Sequence, residues 1–487
     1  MRDALSARIL DAAIKSLRAE ILPKLPQDEA TGIRFDQITR LLRNVSTRLS
    51  SRDAALVDLL KRAAADPAYA YLNVNTEAAD PEEERRRLEA AMASRLPDLL
   101  SDAPTPEKLE ALEALVDLER SFFLALDGDI AAGSQVVYRG GRIDSEEPTG
   151  AGAARAIDEQ SLSTYLQSRY QKPTVRATNV RTIPGGFSKQ TLFFTLEDGV
   201  SNPSDLVIRK DMPQPFIQKT VLNEYPLLKN LLARNFPVAE PLWLETDTKI
   251  FDGAFIVSRR VDGTSNASAW AADPDRAKKA CAELAKVVAK LHAFEPRLLG
   301  TPEEEASLSA GAHIERDIAQ WTRLFHKSKT EPLPLGEVPI VWLAKNIPTQ
   351  LYERPARIVH GDVGFHNLMF DDQGEVTALL DWEFAVLGDP TQDLCFLKNF
   401  VQPMMPWDDF MAIYLEHGGV APCQEAEFFF DLWSRTRNAI GCVDAQRLFD
   451  THLPDEVKFA LAGHIFGPYM YLDQCQTLIE HLKTKQA

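Results

Sequence analysis

Apolar residues recur every three or four positions at the start of the chain, at Leu5, Ile9, Ala12, Ile14, Leu17 and Ile21. That is the period of a helix with one buried face. The same period predicts helices over residues 35–49, 53–64, 81–93 and 107–126, with Asp53, and Thr105 ahead of Pro106, as N-caps. Strand-like alternation is scarce over residues 1–137, so an all-α N-terminal domain is expected there. Residues 138–156 follow, rich in Gly, Pro and charge (YRGGRIDSEEPTGAGA), and read as a linker. A helix over 158–169 comes next, and then the period changes. Strands are expected at 175–183, 190–196, 205–210 and 255–261, with a helix at 220–232 between the last two. From about residue 265 helices dominate again, broken by one short hairpin. The fold class is therefore α+β: an antiparallel sheet lobe (157–258) followed by a helical lobe (259–487), with a cleft where the lobes meet.

Composition narrows the functional classes. The 487 residues carry 54 basic and 71 acidic side chains, a net charge of -17, and 45% hydrophobic residues. This suits a globular protein with a substantial core and argues against nucleic-acid or anionic-membrane partners. Five scattered cysteines, with no C-x2-C pair, argue against a disulfide framework or zinc site and favour a reducing, cytoplasmic setting. No apolar run approaches the roughly 18 residues of a membrane helix. The first 22 residues lack a signal-peptide core, and Asp3, Asp11 and Glu20 do not fit a transit peptide.

Residues 358–393, IVHGDVGFHNLMFDDQGEVTALLDWEFAVLGDPTQD, hold the candidate chemistry. Asp362 and Asn367 form H-G-D-x4-N, and Asp381 follows Asp362 by 19 residues at the end of an apolar strand. Phosphoryl transfer needs a carboxylate beside the attacking hydroxyl, and hard oxygen donors that hold Mg²⁺ against the phosphates. Asp362 is the candidate for the first task, Asn367 and Asp381 for the second. Upstream, Gly185, Gly186 and Ser188 lie in IPGGFSKQTLFFTL, where adjacent glycines let backbone amides approach phosphate oxygens. Lys189 either adds charge there or points to solvent. In the strand LVIRK, alternation turns only one of Arg209 and Lys210 toward the cleft, and the apolar register favours Arg209.

From about residue 158 to 450, some 60% of the chain, these motifs resemble the aminoglycoside-phosphotransferase-like small-molecule kinases. The resemblance is to the subgroup related to the kinase-like domain attached to some acyl-CoA dehydrogenases. It implies a protein-kinase-like bilobal fold, here preceded by the helical domain, with ATP and Mg²⁺ as cofactors. It makes Asp362 the catalytic base and has Arg209 pair with the nucleotide phosphates, anchored by Glu224. The connection around Ser258, Arg259 and Arg260 would bind adenine through its backbone. His360 would hold the catalytic loop by hydrogen bonds and Asp393 would brace it, while Trp382 packs and Glu383 is a supporting acid. His366 either reaches the substrate side or is an exposed loop residue. His292 reads as a satisfied core histidine. Family members often carry Asn where this chain has Lys189.

The expected activity is transfer of the γ-phosphate to a hydroxyl of a small molecule, a metabolic alcohol or hydroxyacyl thioester. One alternative is an antibiotic (aminoglycoside or macrolide) phosphotransferase. The other is an inactive kinase-like scaffold, which retention of Asp362, Asn367 and Asp381 disfavours. A CoA thioester would require basic residues such as Arg435, Arg437 and Arg447 to converge. The N-terminal domain is open between a dimerisation element, giving a homodimer, a lid and a fused partner subunit.

Overall fold

A computed structural model describes residues 10, 12–15, 17–25, 29–100, 105–126, 157–183, 188–198, 204–214, 216–265, 273–299, 301–452 and 457–486. The expected linker at 138–156 and the glycines Gly185 and Gly186 lie outside these residues.

The chain forms two compact units. The first gathers Met1–Arg139, Asp317–Asn346 and Arg435–Ala487, so the N-terminal helices share a body with two later stretches of chain. Its described elements are helices: α1 (Glu29–Ala65), α2 (Pro81–Leu99) and α3 (Pro106–Leu126) pack with Pro334–Lys345 and Gly467–Gln486. Leu59, Leu60, Leu88, Met92, Leu96, Leu112 and Leu115 form the buried stripes. Two helices expected at 35–49 and 53–64 are one. Residues 50–53 (Ser-Ser-Arg-Asp) contain no Gly or Pro, so Asp53 sits inside α1 and caps nothing. Thr105 does cap: its Oγ1 accepts from Lys108 N at 3.4 Å.

The second unit comprises Gly140–Arg316 and Ile347–Ser434. It has the expected α+β layout, a five-stranded antiparallel sheet followed by helices. The sheet order is β1-β2-β3-β5-β4, from β1 (Arg176–Ile183), β2 (Lys189–Glu197), β3 (Ser204–Asp211), β4 (Pro241–Glu245) and β5 (Phe255–Arg259). β4, too short for clear alternation, was not foreseen. Helix α4 (Glu159–Tyr170) starts at a capping box between Asp158 and Ser161. Its Leu162, Tyr165 and Leu166 cover one sheet face with Leu192, Phe194, Ile208, Phe255 and Val257. The opposite face carries Ile256 and meets α5 (Val221–Leu232) and α6 (Pro274–His292) in a second core that continues into residues 358–387. The two faces separate Lys210 from Arg209, as strand alternation requires.

The chain enters the helical lobe beside the hairpin at 368–379. Thr264 and Phe370 exchange backbone hydrogen bonds at 2.9 and 3.0 Å. Gly263, at φ +121°, lies so close to the Phe370 carbonyl that a Cβ would collide with it. No described helix is long and apolar enough to cross a membrane. All five cysteines are free thiols.

Candidate active site

The segment 357–388 is built from two small ladders. β6 (Arg357–Val359) pairs with β9 (Val386–Gly388), and β7 (Leu368–Phe370) with β8 (Val376–Leu379). Between β6 and β7 the chain passes through His360, Gly361, Asp362 and a single 3-10 turn over Phe365–Asn367. Gly361 has φ +82°, a left-handed turn that favours glycine.

Asp393, on α7 (Thr391–Val401), fixes the start of this loop. Its fully buried carboxylate accepts from His360 N and Gly361 N, each at 2.8 Å, and contacts His292 Nε2 at 3.2 Å. Burial pushes the Asp393 pKa up, but these donors and the two histidines bring the net below the usual carboxylate value. His292 is the satisfied core histidine expected, with Nδ1 against Tyr414 Oη at 2.9 Å. His360 donates from Nε2 to Leu380 O at 3.0 Å, and its Nδ1 accepts from Asp362 N at 3.3 Å. Burial lowers its pKa, so the ring is a neutral brace. Trp382 packs against His360 and Phe236 at ring separations of 4.7 and 5.7 Å and donates to Leu379 O.

Asp362 and Asn367 are joined directly. Asn367 Nδ2 donates to Asp362 O at 2.9 Å and to Asp362 Oδ2 at 3.1 Å, which turns its own carbonyl oxygen away from them. Asp381, at the end of β8, has φ +66°, an uncommon backbone for a non-glycine residue and a frequent one at functional positions.

Arg209 is the hub of the rest. Its Nη2 binds Asp381 Oδ1, its Nε lies 3.2 Å from Glu224 Oε2, and Glu383 Oε2 is 3.8 Å from Nη2. Burial alone would lower the guanidinium pKa; the three carboxylates outweigh it and raise it. Lys189 is drawn into the same cluster, 3.3 Å from Asp211 Oδ1 and 3.6 Å from Glu383 Oε2, and does not point to solvent. Glu383 also accepts from Ser188 Oγ. Burial, reinforced by Asp381, pushes Glu383 up to about 7, although Arg209 and Lys189 pull the other way. Lys210, on the far face of β3, is fully buried and donates to Asp211 O at 3.1 Å. Of the two basic residues at the end of β3, Arg209 is the one that meets Asp381.

Ser188, Arg209, Glu224 and Asp381 thus converge, and Asp362 converges with Asn367. The Ser258–Arg260 stretch is different. Register places Ser258 on the Arg209 face, opposite Val207, and Arg259 on the other. Arg259 N and Arg260 N already donate to Glu240 O and Asp205 O. Their side chains pair with Glu240 at 2.7 Å and Asp205 at 3.8 Å. Asp211 was missed. It accepts from Val221 N at 3.0 Å and from Thr220 Oγ1, joining β3 to α5. The one signal for it is Thr220, which reads as an N-cap.

Residues 179–429, just over half the chain, match the phosphotransferase enzyme family. The chain belongs to that family. Among similar proteins are acyl-CoA dehydrogenase family member 11 of Gallus gallus and family member 10 of Mus musculus. The first is 28% identical over 251 residues, covering 50% of this chain and 31% of that protein. The second is 26% identical over 246 residues, covering 50% and 22%. The match thus spans a third or less of these relatives' length. Similar solved structures include a putative aminoglycoside phosphotransferase from Ralstonia eutropha JMP134 (21% identity, 66% of this chain and 99% of that one, TM-score 0.48). A macrolide 2'-phosphotransferase type I is another (15%, 64% and 97%, TM-score 0.42).

Proposed function

We propose that this family member transfers the γ-phosphate of ATP to a hydroxyl group of a small molecule, with Asp362 as the catalytic base. The observation that carries this reading is the joint placement of Asp362 against Asn367 and of Asp381 against Arg209, on rigid strand ends and a braced loop. The acceptor oxygen attacks the γ-phosphorus, its proton passes to Asp362, and the bond from phosphorus to the β,γ-bridging oxygen breaks, releasing ADP. Arg209 faces the phosphates from β3 and Glu224 holds it there. Ser188 and Lys189 sit at the start of β2, next to the glycine pair.

Mg²⁺ fits the residues present. Asp381 offers a carboxylate whose side chain is 32% exposed, and Asn367 a carbonyl oxygen left over from its bond to Asp362. Both are hard oxygen donors of the kind Mg²⁺ shares with phosphates. When bound, the ion would neutralise phosphate charge. Asp381 and Asn367 would hold it, with Arg209, bonded to Asp381, as the neighbouring cation for the phosphates.

The acceptor is read as a metabolic alcohol. The acyl-CoA dehydrogenase relatives support a metabolic role over an antibiotic one. A CoA thioester gains no help from the three arginines considered for it. Arg435 pairs with Asp473 at 2.9 Å, Arg447 with Asp444 at 2.8 Å, and Arg437 is buried.

The test is an ADP-release screen over hydroxyl metabolites, CoA thioesters and antibiotics, with wild type and Asp362→Asn. Loss of a general base costs on the order of 10²–10⁴-fold. The variant is expected to fall in that range while still binding ATP. Full activity in Asp362→Asn would sink the mechanism, and ATP binding without transfer to any acceptor would favour the scaffold reading.

A further inference from the structure

One histidine in the catalytic loop has no task in the scheme above. His366 Nε2 lies 3.5 Å from Asp362 Oδ2, and its side chain is 33% exposed. Three features show that the ring is held there and does not merely hang from the loop. Gly364 has φ -169°, extended backbone open to any residue, so its conformation does not call for glycine. The space does: a Cβ at Gly364 would lie 2.7 Å from His366 Cε1 and 2.8 Å from His366 Nδ1. The ring therefore lies directly over bare backbone. Phe400 stands against the same ring, with centroids 5.8 Å apart at 52°, and Phe396 supports Phe400 at 5.3 Å. Phe400 and Asp393 are seven residues apart on α7, two turns, and so share a face of that helix. One helix thus grips the catalytic loop twice, at His360–Gly361 through Asp393 and at His366 through Phe400.

The contact also has a direction. Asn367 Nδ2 reaches Asp362 Oδ2 at 3.1 Å, the same oxygen that His366 faces. Two donors on one oxygen fix the carboxylate rotation and assign the other oxygen, Oδ1, to the acceptor hydroxyl. A separation of 3.5 Å is long for a finished hydrogen bond, and such contacts commonly tighten only when substrate is bound.

We propose that His366 is a positioning residue for Asp362, donating Nε2–H to Oδ2 so that Oδ1 is aimed at the acceptor. The assignment rests on the phosphotransferase reading and deepens it. Its value to catalysis is orientational: a misplacement of about 1 Å at a reacting group can cost up to roughly 10²-fold in rate.

The experiment measures steady-state ADP release from MgATP by the full chain, with water as acceptor and with any alcohol that accelerates it. His366→Leu removes the donor. His366→Gln places an amide nitrogen near the Nε2 position. Gly364→Ala leaves the imidazole intact but displaces it. His366→Leu and Gly364→Ala are expected to lose about tenfold in kcat with the KM for ATP within about twofold, and His366→Gln to recover most of that loss. Thermal melting checks that each variant folds. A Leu variant with wild-type kcat overturns the proposal, as does equal loss in the Leu and Gln variants. Asp362→Asn separates the two readings. Turnover that depends on Asp362 but ignores His366 overturns only this proposal; wild type without Asp362-dependent turnover overturns both.

Discussion

Two arginines in this protein are surrounded by more carboxylate than they can neutralise, and they differ in what encloses them. Arg209 faces Glu224, Asp381 and Glu383, which come from a helix and from the loop after β8. Arg85 faces Glu89 one turn along α2, Glu82 at 3.6 Å, and the ring of Phe122 at 4.2 Å. Glu119 is buried in the same cluster and acts on both Arg85 and Glu89. The Arg85–Glu89 pair is sealed, its side chains 8% and 2% exposed, whereas those of Arg209 and Asp381 are 25% and 32% exposed. Excess buried negative charge is therefore not itself the mark of a site. The mark is charge brought by separate elements to a place that solvent, and hence a ligand, can reach.

The largest expected effects break this comparison by removing each hub. Deleting one partner of a buried ion cluster leaves uncompensated charge and costs about 3–5 kcal/mol. Arg209→Leu and Arg85→Leu should both approach that cost in urea unfolding. They should differ in function. Arg209→Leu should abolish MgATP-dependent ADP release, while Arg85→Leu should leave it within about threefold at temperatures where the variant is folded. Equal loss of activity in both would erase the distinction drawn between the clusters.

A smaller effect sharpens it through pH. Burial, and then the neighbouring Glu119, raise the Glu89 pKa well above the ordinary glutamate value of 4.5, and Arg85 only partly offsets them. A carboxyl whose native pKa is raised binds more protons folded than unfolded, so its contribution to stability falls as pH rises above about 4.5. Glu89→Gln keeps the shape of the protonated acid and cannot ionise. The stability difference, variant minus wild type, should grow in the variant's favour between pH 5 and pH 8. A constant difference across that range would show Glu89 ionised throughout and the Arg85 cluster better balanced than its geometry implies.

How far the two regions could be read from sequence follows the same division. Asp362, Asn367 and Asp381 were legible because a loop and a hairpin fix their spacing within 20 residues. Arg209 was legible because β3 alternates. The Ser188–Glu383 contact joins residues 195 apart, and neither short segment signals the other. The adenine contact expected around Ser258, Arg259 and Arg260 rested on position alone, since backbone recognition leaves no side-chain signature; the Arg259 and Arg260 N–H groups donate to Glu240 O and Asp205 O. In α2, the run EEERRRLE lies within the helix expected at 81–93. Arg85 and Glu89 lie on the stripe of Leu88, Met92 and Leu96, and only packing shows that they turn inward. The helix break expected near Asp53 failed for a related reason: a residue suited to capping does not end a helix when its neighbours continue it.

The smallest expected effect concerns a third buried cation. Lys210 is the strand neighbour of Arg209, yet its side chain enters the apolar layer between the sheet and α4, beside Phe255 on the paired strand. Desolvation lowers its pKa, with only partial compensation from Asp252 and Asp211. Its ammonium donates to a backbone carbonyl, Asp211 O. Methionine fills nearly the same volume without a charge to desolvate, and swapping a buried polar group for an apolar one of similar shape is often neutral or stabilising. Lys210→Met should therefore change stability by less than about 1 kcal/mol and leave the kcat for ADP release unchanged. Arg209→Lys, one position away and conservative in charge, should lose at least about tenfold, because a single ammonium cannot span Asp381 and Glu224 as the guanidinium fork does. If Lys210→Met proved the more damaging of the two, the phosphate-facing cation would be Lys210, and the geometric case for Arg209 would be overturned.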